Sequence, residues 1–183
     1  MRSLLINKSV LKNVYKKRGQ DSKKGDFGKI LIIGGSNKFS GAPALSGLSA
    51  LACLRSGVDI VEVAAPKRVA DIVAGLSPDL ITNPLRGDFI GLKHLDKILK
   101  LCEDMSCFVI GGGIGRNKGT LSVVLKFLKK TRISGVVDAD AIHAFNDFNQ
   151  GGVVLKNFVF TPHKNEFFVL TGKRVPHDLN KKI

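Results

Sequence analysis

The sequence has no tryptophan and a single tyrosine, so aromatic residues make up only 7% of its 183 residues. Acidic residues are also scarce, with 15 Asp and Glu against 29 Lys and Arg, and the net charge of +14 favours contact with phosphate groups. Proteins that bind single-stranded nucleic acids interleave basic residues with aromatic side chains that stack on bases. Because that combination is missing, we expect no sequence-specific recognition of nucleic acid.

Half of the positive charge lies close to the N-terminus. Residues 1–29 contain nine basic and two acidic residues, which accounts for +7 of the net +14. A local run of basic charge is usually a solvated surface. We therefore divide the chain into a basic N-terminal arm, residues 1–22, and a folded domain, residues 23–183.

Cysteine is rare and long apolar runs are absent. The three cysteines, Cys53, Cys102 and Cys107, form no Cys-x-x-Cys pair, which argues against a disulfide framework and a zinc site. No apolar run approaches the roughly 18 residues of a membrane-spanning helix, and the N-terminus lacks the apolar region of a signal peptide. We expect a cytoplasmic protein with reduced thiols and no membrane partner.

Short β-branched runs alternate with longer segments of helical periodicity. This order predicts an α/β domain, with a mostly parallel sheet that is covered by helices on both faces. The predicted strands span residues 29–35, 58–66, 107–113, 135–140 and 158–162, and the predicted helices span residues 41–57, 91–105 and 118–132.

Glycine-rich loops follow two of the predicted strands, where ligands bind in open parallel sheets. The loops read "GGSNKFSGAP" and "GGGIGR", and each precedes a helix. Neither has the spacing of a dinucleotide fingerprint or a Walker loop. Each is explained by ordinary loop geometry when taken alone, but a pair on one sheet edge suits a phosphate or pyrophosphate.

Polar residues follow the last two predicted strands. Asp138 and Asp140 come after "GVV", and Thr161-Pro162 precedes His163 and Glu166. The three carboxylates could hold Mg²⁺ through water. The alternative is plain helix capping by Asp138, and by Thr161 as N-cap with Pro162 as first helical residue.

Five segments in the same order resemble the ADP- or ATP-dependent NAD(P)H-hydrate dehydratases of the ribokinase-like superfamily. They are "KKGDFGKILIIGGSNKFSGAP", "CLRSGVDIVEVAAP", "VIGGGIGR", "VVDADAIHAF" and "TPHKNEF", and the resemblance covers about residues 23–172. The resemblance implies a three-layer ribokinase-like fold. It also implies repair of hydrated NADH and NADPH, in which a nucleotide phosphorylates the ring hydroxyl and loss of phosphate restores the double bond.

The resemblance also implies roles for individual residues. Ala42, Gly113 and His163 match positions that contact the hydrated substrate. Three acidic residues match the possible phosphate and metal neighbourhood, namely Asp138, Asp140 and Glu166. The implied ligands are NAD(P)H hydrate, ADP or ATP, and Mg²⁺, and family members are often homo-oligomers.

The sequence departs from the family pattern in two places. Gly112 stands where the family usually has proline. The chain also contains no Gly-x-Gly-Asp motif, which in the family carries the aspartate that activates the substrate hydroxyl. We therefore assign no catalytic residue, and we expect residues 23–183 to be the N-terminal two-thirds of the domain, incomplete at the C-terminus.

Two other functions stay open at this point. The chain could be another ribokinase-like small-molecule kinase, or a non-catalytic nucleotide-binding fragment. The sequence decides neither the choice between ADP and ATP nor the presence of a fused epimerase domain.

Overall fold

The computed structural model describes residues 9, 11–12, 15, 17–148 and 152–175, without the side chains of residues 146–148. Most of the predicted basic arm, residues 1–22, and the last eight residues of the chain lie outside this part.

Six parallel strands form one sheet in the order β3-β2-β1-β4-β5-β6. From the central strand β1 the chain adds β2 and β3 on one side, and then β4, β5 and β6 on the other side. The loops after β1 and β4 therefore flank the point where the strand order switches, which is where open α/β sheets bind ligands. The strands are β1 Lys29–Ile33, β2 Ile60–Pro66, β3 Ile81–Leu85, β4 Cys107–Ile110, β5 Ser134–Val137 and β6 Phe158–Phe160.

Helices cover both faces of the sheet, as predicted. The α-helices are α1 Gly41–Arg55, α2 Lys67–Ala74, α3 Leu95–Glu103, α4 Lys118–Lys130 and α5 Lys164–Thr171. Short 3₁₀ segments span Leu92–His94 and Leu155–Asn157, and a longer one spans Ala139–Phe148. The long segment packs against α5.

Strand residues alternate between two hydrophobic cores. Leu31 and Ile33 of β1 face the core that contains residues of α3, α4 and the Ala139–Phe148 segment. Ile32, between them, faces the core that contains residues of α1 and α2. Because both faces are buried, β1 is a continuous apolar run, as expected for a central parallel strand.

The sequence prediction missed α2 and β3. The stripe of Val69, Ala70 and Val73 buries α2 against the sheet. The short β3 contains Pro84, and Ile81 at its start is 42% exposed. Such a strand is tolerated because β3 lies at the sheet edge.

A buried aspartate fastens the chain before β1 to the end of the sheet where the strands begin. The side chain of Asp59 is 7% exposed and accepts hydrogen bonds from the amides of Gly25 (2.8 Å) and Phe27 (2.9 Å). Arg18 donates to the same carboxylate at 2.9 Å and to the Gly57 carbonyl at 2.8 Å. The guanidinium also lies 4.3 Å from the centre of the Phe27 ring. We call this group the Asp59 anchor.

Candidate functional site

The two glycine loops meet at the carboxyl end of the sheet. The amide of Gly35 donates to the Gly112 carbonyl at 2.8 Å, and the amide of Gly111 donates to the Ile33 carbonyl at 3.2 Å. A Cβ at Gly34 would lie 2.8 Å from the Gly112 carbonyl oxygen, so the approach leaves no room for a side chain there. We call this end of the sheet, with the loops after β1, β4, β5 and β6, the carboxyl edge.

Ala42 and Gly113 face each other across these loops. Gly113 has a φ of +67°, and a Cβ there would lie 3.4 Å from the Ala42 Cβ and 2.9 Å from the Phe39 Cβ. The glycine is thus required both by its backbone conformation and by the available space. The structure therefore brings together two of the residues that the sequence assigned to the substrate.

Asp138 connects the loops after β4, β5 and β6. Its amide donates to the Ile110 carbonyl at 3.0 Å, and its Oδ1 accepts a 2.6 Å hydrogen bond from the Thr161 hydroxyl. A Cβ at Gly111, where φ is +134°, would collide with the Asp138 carbonyl oxygen. Asp138 therefore ties neighbouring strand ends together, and its side chain does not cap the following segment.

His163 is itself the N-cap of α5. Its Nδ1 accepts from the amides of Asn165 (3.1 Å) and Glu166 (3.2 Å), and Glu166 Oε2 accepts from the amide of His163 at 3.0 Å. The prediction that Thr161 is the N-cap and Pro162 the first helical residue is wrong, because the Thr161 hydroxyl is used by Asp138.

The capping bonds also fix how the His163 ring is presented. Since Nδ1 accepts two hydrogen bonds, the proton of the neutral ring is carried by Nε2. Nε2 lies 3.3 Å from Glu166 Oε1, and the His163 side chain is 63% exposed while that of Glu166 is 6% exposed. The cap thus holds an exposed imidazole in one orientation at the carboxyl edge.

Asp140 organises the loop after β4. Its Oδ2 accepts from the amide of Gly115 at 3.0 Å, and its Oδ1 accepts from Arg116 Nε at 2.8 Å. Sequence reasoning quoted Arg116 as part of "GGGIGR" but gave it no role. Both oxygens of the Asp140 carboxylate are therefore engaged by the protein.

His143 is a member of this site that the sequence prediction missed. Burial lowers the pKa of His143, Arg116 and His163 add to the effect, and Glu166 and Asp140 oppose it. The available signal was a single polar residue inside the apolar run Ala141–Phe145.

Two buried polar atoms at this edge have no hydrogen-bond partner among the described residues. They are the Nε2 of His143 and the hydroxyl of Ser36, a residue that is 1% exposed. Buried polar groups of this kind are usually satisfied by an ordered water or a ligand.

The carboxylates of this edge do not form a direct metal site. In the described part of the chain, no group of three or more His, Cys, Asp or Glu side chains is arranged to hold a metal ion. Asp140 and Glu166 use their oxygens on the protein, and Asp138 has Oδ2 left without a bond to a described residue. The residues present therefore do not fit a magnesium ion held by protein oxygens alone.

None of the helices in the described residues combines the length and the apolar character that crossing a membrane requires.

Comparison with known proteins identifies relatives that match most of this chain. The family model for NAD(P)H-hydrate dehydratase matches residues 30–182. A bifunctional NAD(P)H-hydrate repair enzyme of Pyrobaculum aerophilum is 40% identical over 170 residues, which is 91% of this chain and 32% of the relative. An ATP-dependent (S)-NAD(P)H-hydrate dehydratase of Drosophila pseudoobscura pseudoobscura is 32% identical over 178 residues, 96% of this chain and 57% of the relative.

Solved structures share the fold. A ribokinase-like superfamily protein of Enterococcus faecalis superposes with a TM-score of 0.71 at 23% identity, covering 99% of this chain and 63% of that one. The ADP/ATP-dependent NAD(P)H-hydrate dehydratase of Bacillus subtilis, co-crystallised with ATP and Mg²⁺, gives 0.62 at 23% identity, covering 90% and 53%. The predicted ribokinase-like fold is confirmed, and the chain spans less than two-thirds of these relatives.

Proposed function

Because the chain belongs to the NAD(P)H-hydrate dehydratase family, we propose that it is the substrate-binding part of an enzyme that dehydrates hydrated NADH and NADPH. The reaction uses ADP or ATP: the nucleotide phosphorylates the hydroxyl of the hydrated ring, and departure of the phosphate restores the double bond. The observation that carries the proposal is that the Ala42 and Gly113 loops meet at the same sheet edge as the fixed imidazole of His163.

Each of these residues suits a part of the substrate. Ala42 and Gly113 are partly exposed and carry little or no side chain, so a flat ring can approach the backbone from the solvent side. In this proposal His163 Nε2 donates to a substrate oxygen in place of Glu166 Oε1, which lies 3.3 Å away, while Nδ1 is held by α5. Because the cap orients the ring before the substrate arrives, little conformational entropy is lost on binding.

The nucleotide and its metal ion are part of the same proposal. Mg²⁺ usually keeps several waters and is held by one or two carboxylates together with nucleotide phosphates. Since the described carboxylates are largely engaged, we route no step through the metal. In this chain Asp138 Oδ2 is the oxygen that remains available.

The free cysteines bear on the cellular compartment that we propose for the protein. Cys53, Cys102 and Cys107 are all free thiols, which supports a reducing compartment such as the cytoplasm. Homo-oligomer formation also stays part of the proposal.

Turnover is the test of the activity. We would join residues 1–183 to the segment of the Pyrobaculum aerophilum relative that follows the matched region, and supply hydrated NADH with ADP or ATP. The near-ultraviolet absorbance of the restored nicotinamide should return only when nucleotide is present. Absent turnover, or turnover without nucleotide, contradicts the proposal, and turnover of other alcohols instead would indicate a different ribokinase-like kinase.

Substrate binding is tested on the chain itself with two matched variants. His163→Ala removes both the cap and the imidazole, whereas His163→Asn keeps a good N-cap and removes only the imidazole. Hydrated NADPH at about 100 times its Kd should stabilise the wild type by about 2.7 kcal/mol. We expect both variants to lose most of this stabilisation, and full stabilisation of His163→Asn would reduce His163 to a helix cap.

A further inference from the structure

Asp140 holds Arg116 in a fixed position beside the proposed substrate site. The carboxylate is shared between Arg116 Nε at 2.8 Å and the amide of Gly115 at 3.0 Å, and the Asp140 side chain is only 17% exposed. The bond through Nε fixes the plane of the guanidinium. Because Gly115 and Arg116 come two and three residues after Gly113, this geometry is coupled to the loop that faces Ala42.

The outer end of Arg116 is free to bind a ligand. The side chain is 57% exposed, and its two terminal amino groups form no hydrogen bond with any residue that the structure describes. These two groups and their fork geometry match the oxygens of a phosphate. An arginine that is already oriented loses less freedom on binding than a mobile one.

Apart from its partner Asp140, the residues next to Arg116 in the chain are basic or uncharged, which suits an anion. Lys118, two residues further on, is exposed, and the first turn of α4 contains no acidic residue. The one carboxylate bonded to Arg116 is Asp140, which also bonds Gly115. The pKa of the nearby His143 is lowered chiefly by burial, and Arg116 is the next cause. A neutral imidazole does not compete with a phosphate for Arg116, as a carboxylate would.

We propose that Arg116, positioned by Asp140, binds a phosphate group of the hydrated dinucleotide. The proposal rests on the proposed function and adds a residue for which no role was assigned. The phosphate is either the diphosphate bridge, present in both NADH and NADPH hydrates, or the 2′-phosphate, present only in the NADPH hydrate. Asp140 is a positioning residue in this arrangement, since it acts through Arg116.

Calorimetric titration of the 183-residue chain tests the proposal, with NADH, NADPH and ADP as separate ligands. Arg116→Gln should raise the Kd of the phosphate-bearing dinucleotide about tenfold, as expected for the loss of a hydrogen bond between charged groups. Arg116→Lys keeps the charge without the fork and should give a smaller loss. Arg132→Gln, an exposed arginine at the other end of α4, is the matched control.

The ligand series identifies which phosphate is bound. An equal loss for NADH and NADPH assigns Arg116 to the diphosphate, and a loss for NADPH alone assigns it to the 2′-phosphate. The proposal is overturned if Arg116→Gln changes both no more than Arg132→Gln does, if only ADP is affected, or if the wild type binds no dinucleotide. Failure of the proposed function is read separately, from turnover by the joined protein.

A double-mutant cycle tests the positioning role of Asp140. If Asp140 acts through Arg116, Asp140→Asn should weaken binding in the wild type but add nothing in the Arg116→Gln background. Additive losses would contradict the positioning role. The melting temperature of each variant, measured without ligand, shows whether the variant is folded and whether a general loss of stability explains the result.

Discussion

Two aspartate–arginine pairs lie at opposite ends of the same sheet, and they differ in what they leave free. In the Asp59 anchor, Asp59 accepts two backbone amides and Arg18, and Arg18 also bonds the Gly57 carbonyl and stacks on Phe27. At the carboxyl edge, Asp140 accepts one amide and Arg116 Nε, and Arg116 has no further bond among the described residues.

The two arginines differ in which of their hydrogen-bond donors are used. The two arginines are similarly exposed, 53% for Arg18 and 57% for Arg116, so exposure alone does not distinguish them. What distinguishes them is the use of their donors. One terminal amino group of Arg18 makes both of its hydrogen bonds, and the guanidinium lies over the Phe27 ring. Arg116 is held through Nε, so in the described residues both of its terminal amino groups stay without a hydrogen bond, as the proposed phosphate contact requires.

A cavity of about 520 Å³ lies beside the Asp59 anchor, with Phe27, Cys53 and Arg18 among its lining residues. Its arginine is held through Nη2 by Asp59 and the Gly57 carbonyl and lies over the Phe27 ring.

The largest effect is expected from Gly111→Ala at the carboxyl edge. The new methyl group would collide with the Asp138 carbonyl oxygen, and φ is +134° at this position. We expect a loss of about 3 kcal/mol in the free energy of unfolding. Gly91→Ala, where no atom lies within 4 Å of the added Cβ, is the control for chemical denaturation. Equal denaturation midpoints for the two variants would show that the loop after β4 accommodates the added methyl group at little cost in stability.

The next effect separates the two aspartates. Asp59→Ala leaves the amides of Gly25 and Phe27 and the Arg18 guanidinium without their acceptor, so the melting temperature should fall clearly. Asp140→Ala should lower the melting temperature less than Asp59→Ala does, and it should weaken dinucleotide binding more than Asp59→Ala does. The opposite order of the two variants in either measurement would remove the distinction between anchor and binding site.

Acid should weaken the Asp59 anchor. Hydrogen bonding from the Phe27 amide lowers the pKa of Asp59 most, burial opposes this, and the Gly25 amide and Arg18 lower it further. The anchor therefore contributes its full stability above the ordinary pKa of 3.8, and loses it as the pH falls through the lower folded value. Asp59→Asn should flatten the acid side of the stability profile, and an unchanged profile would contradict the assignment.

The smallest effect compares two histidines in the same way. His94 Nδ1 accepts from the Gly91 amide at 3.0 Å and its Nε2 lies 3.0 Å from the Arg86 carbonyl, while His143 Nε2 has no partner among the described residues. We expect His94→Gln to destabilise the protein more than His143→Gln near neutral pH, since it disturbs two bonds. Equal midpoints in urea would show that the bonds of His94 contribute little.

The same pair has a second, pH-dependent signature. Burial is the main cause that lowers the pKa of both His94 and His143. A lowered histidine pKa means that the unfolded chain takes up protons first, so stability decreases as the pH falls below the ordinary value of 6.5. Each substitution should reduce this loss between about pH 7 and about pH 5.

Strands and helices with strong patterns were predictable, and weakly patterned ones were not. Apolar runs identified β1, β2 and β4, because both faces of those strands are largely covered. They also identified β5 and the edge strand β6, although Val159 in β6 is 61% exposed. The edge strand β3, with Asn83 and Pro84, carries no such pattern. Only pairing with β2, where Asn83 donates to Glu62 at 2.6 Å, makes it a strand.

The meeting of the loops at the carboxyl edge was predictable, but their hydrogen bonds were not. Strand ends and glycine loops indicated the carboxyl edge, and the resemblance supplied Ala42, Gly113 and His163. Spacing could not reveal that His163 caps α5 through its own ring, or that Asp140 is used by Gly115 and Arg116. Those outcomes depend on which donor reaches which acceptor after the loops have packed.

The most direct test maps where hydrated NADPH binds on the 183-residue chain, from the backbone amide signals of an isotope-labelled sample. If the carboxyl edge is the dinucleotide site, the signals of Ala42, Gly113 and His163 should shift saturably during the titration. The signals of Gly25 and Gly28, beside the Asp59 anchor, should stay in place. Saturable shifts at Gly25 and Gly28 with none at the carboxyl edge, or no shifts at all, would contradict the assignment of the substrate site.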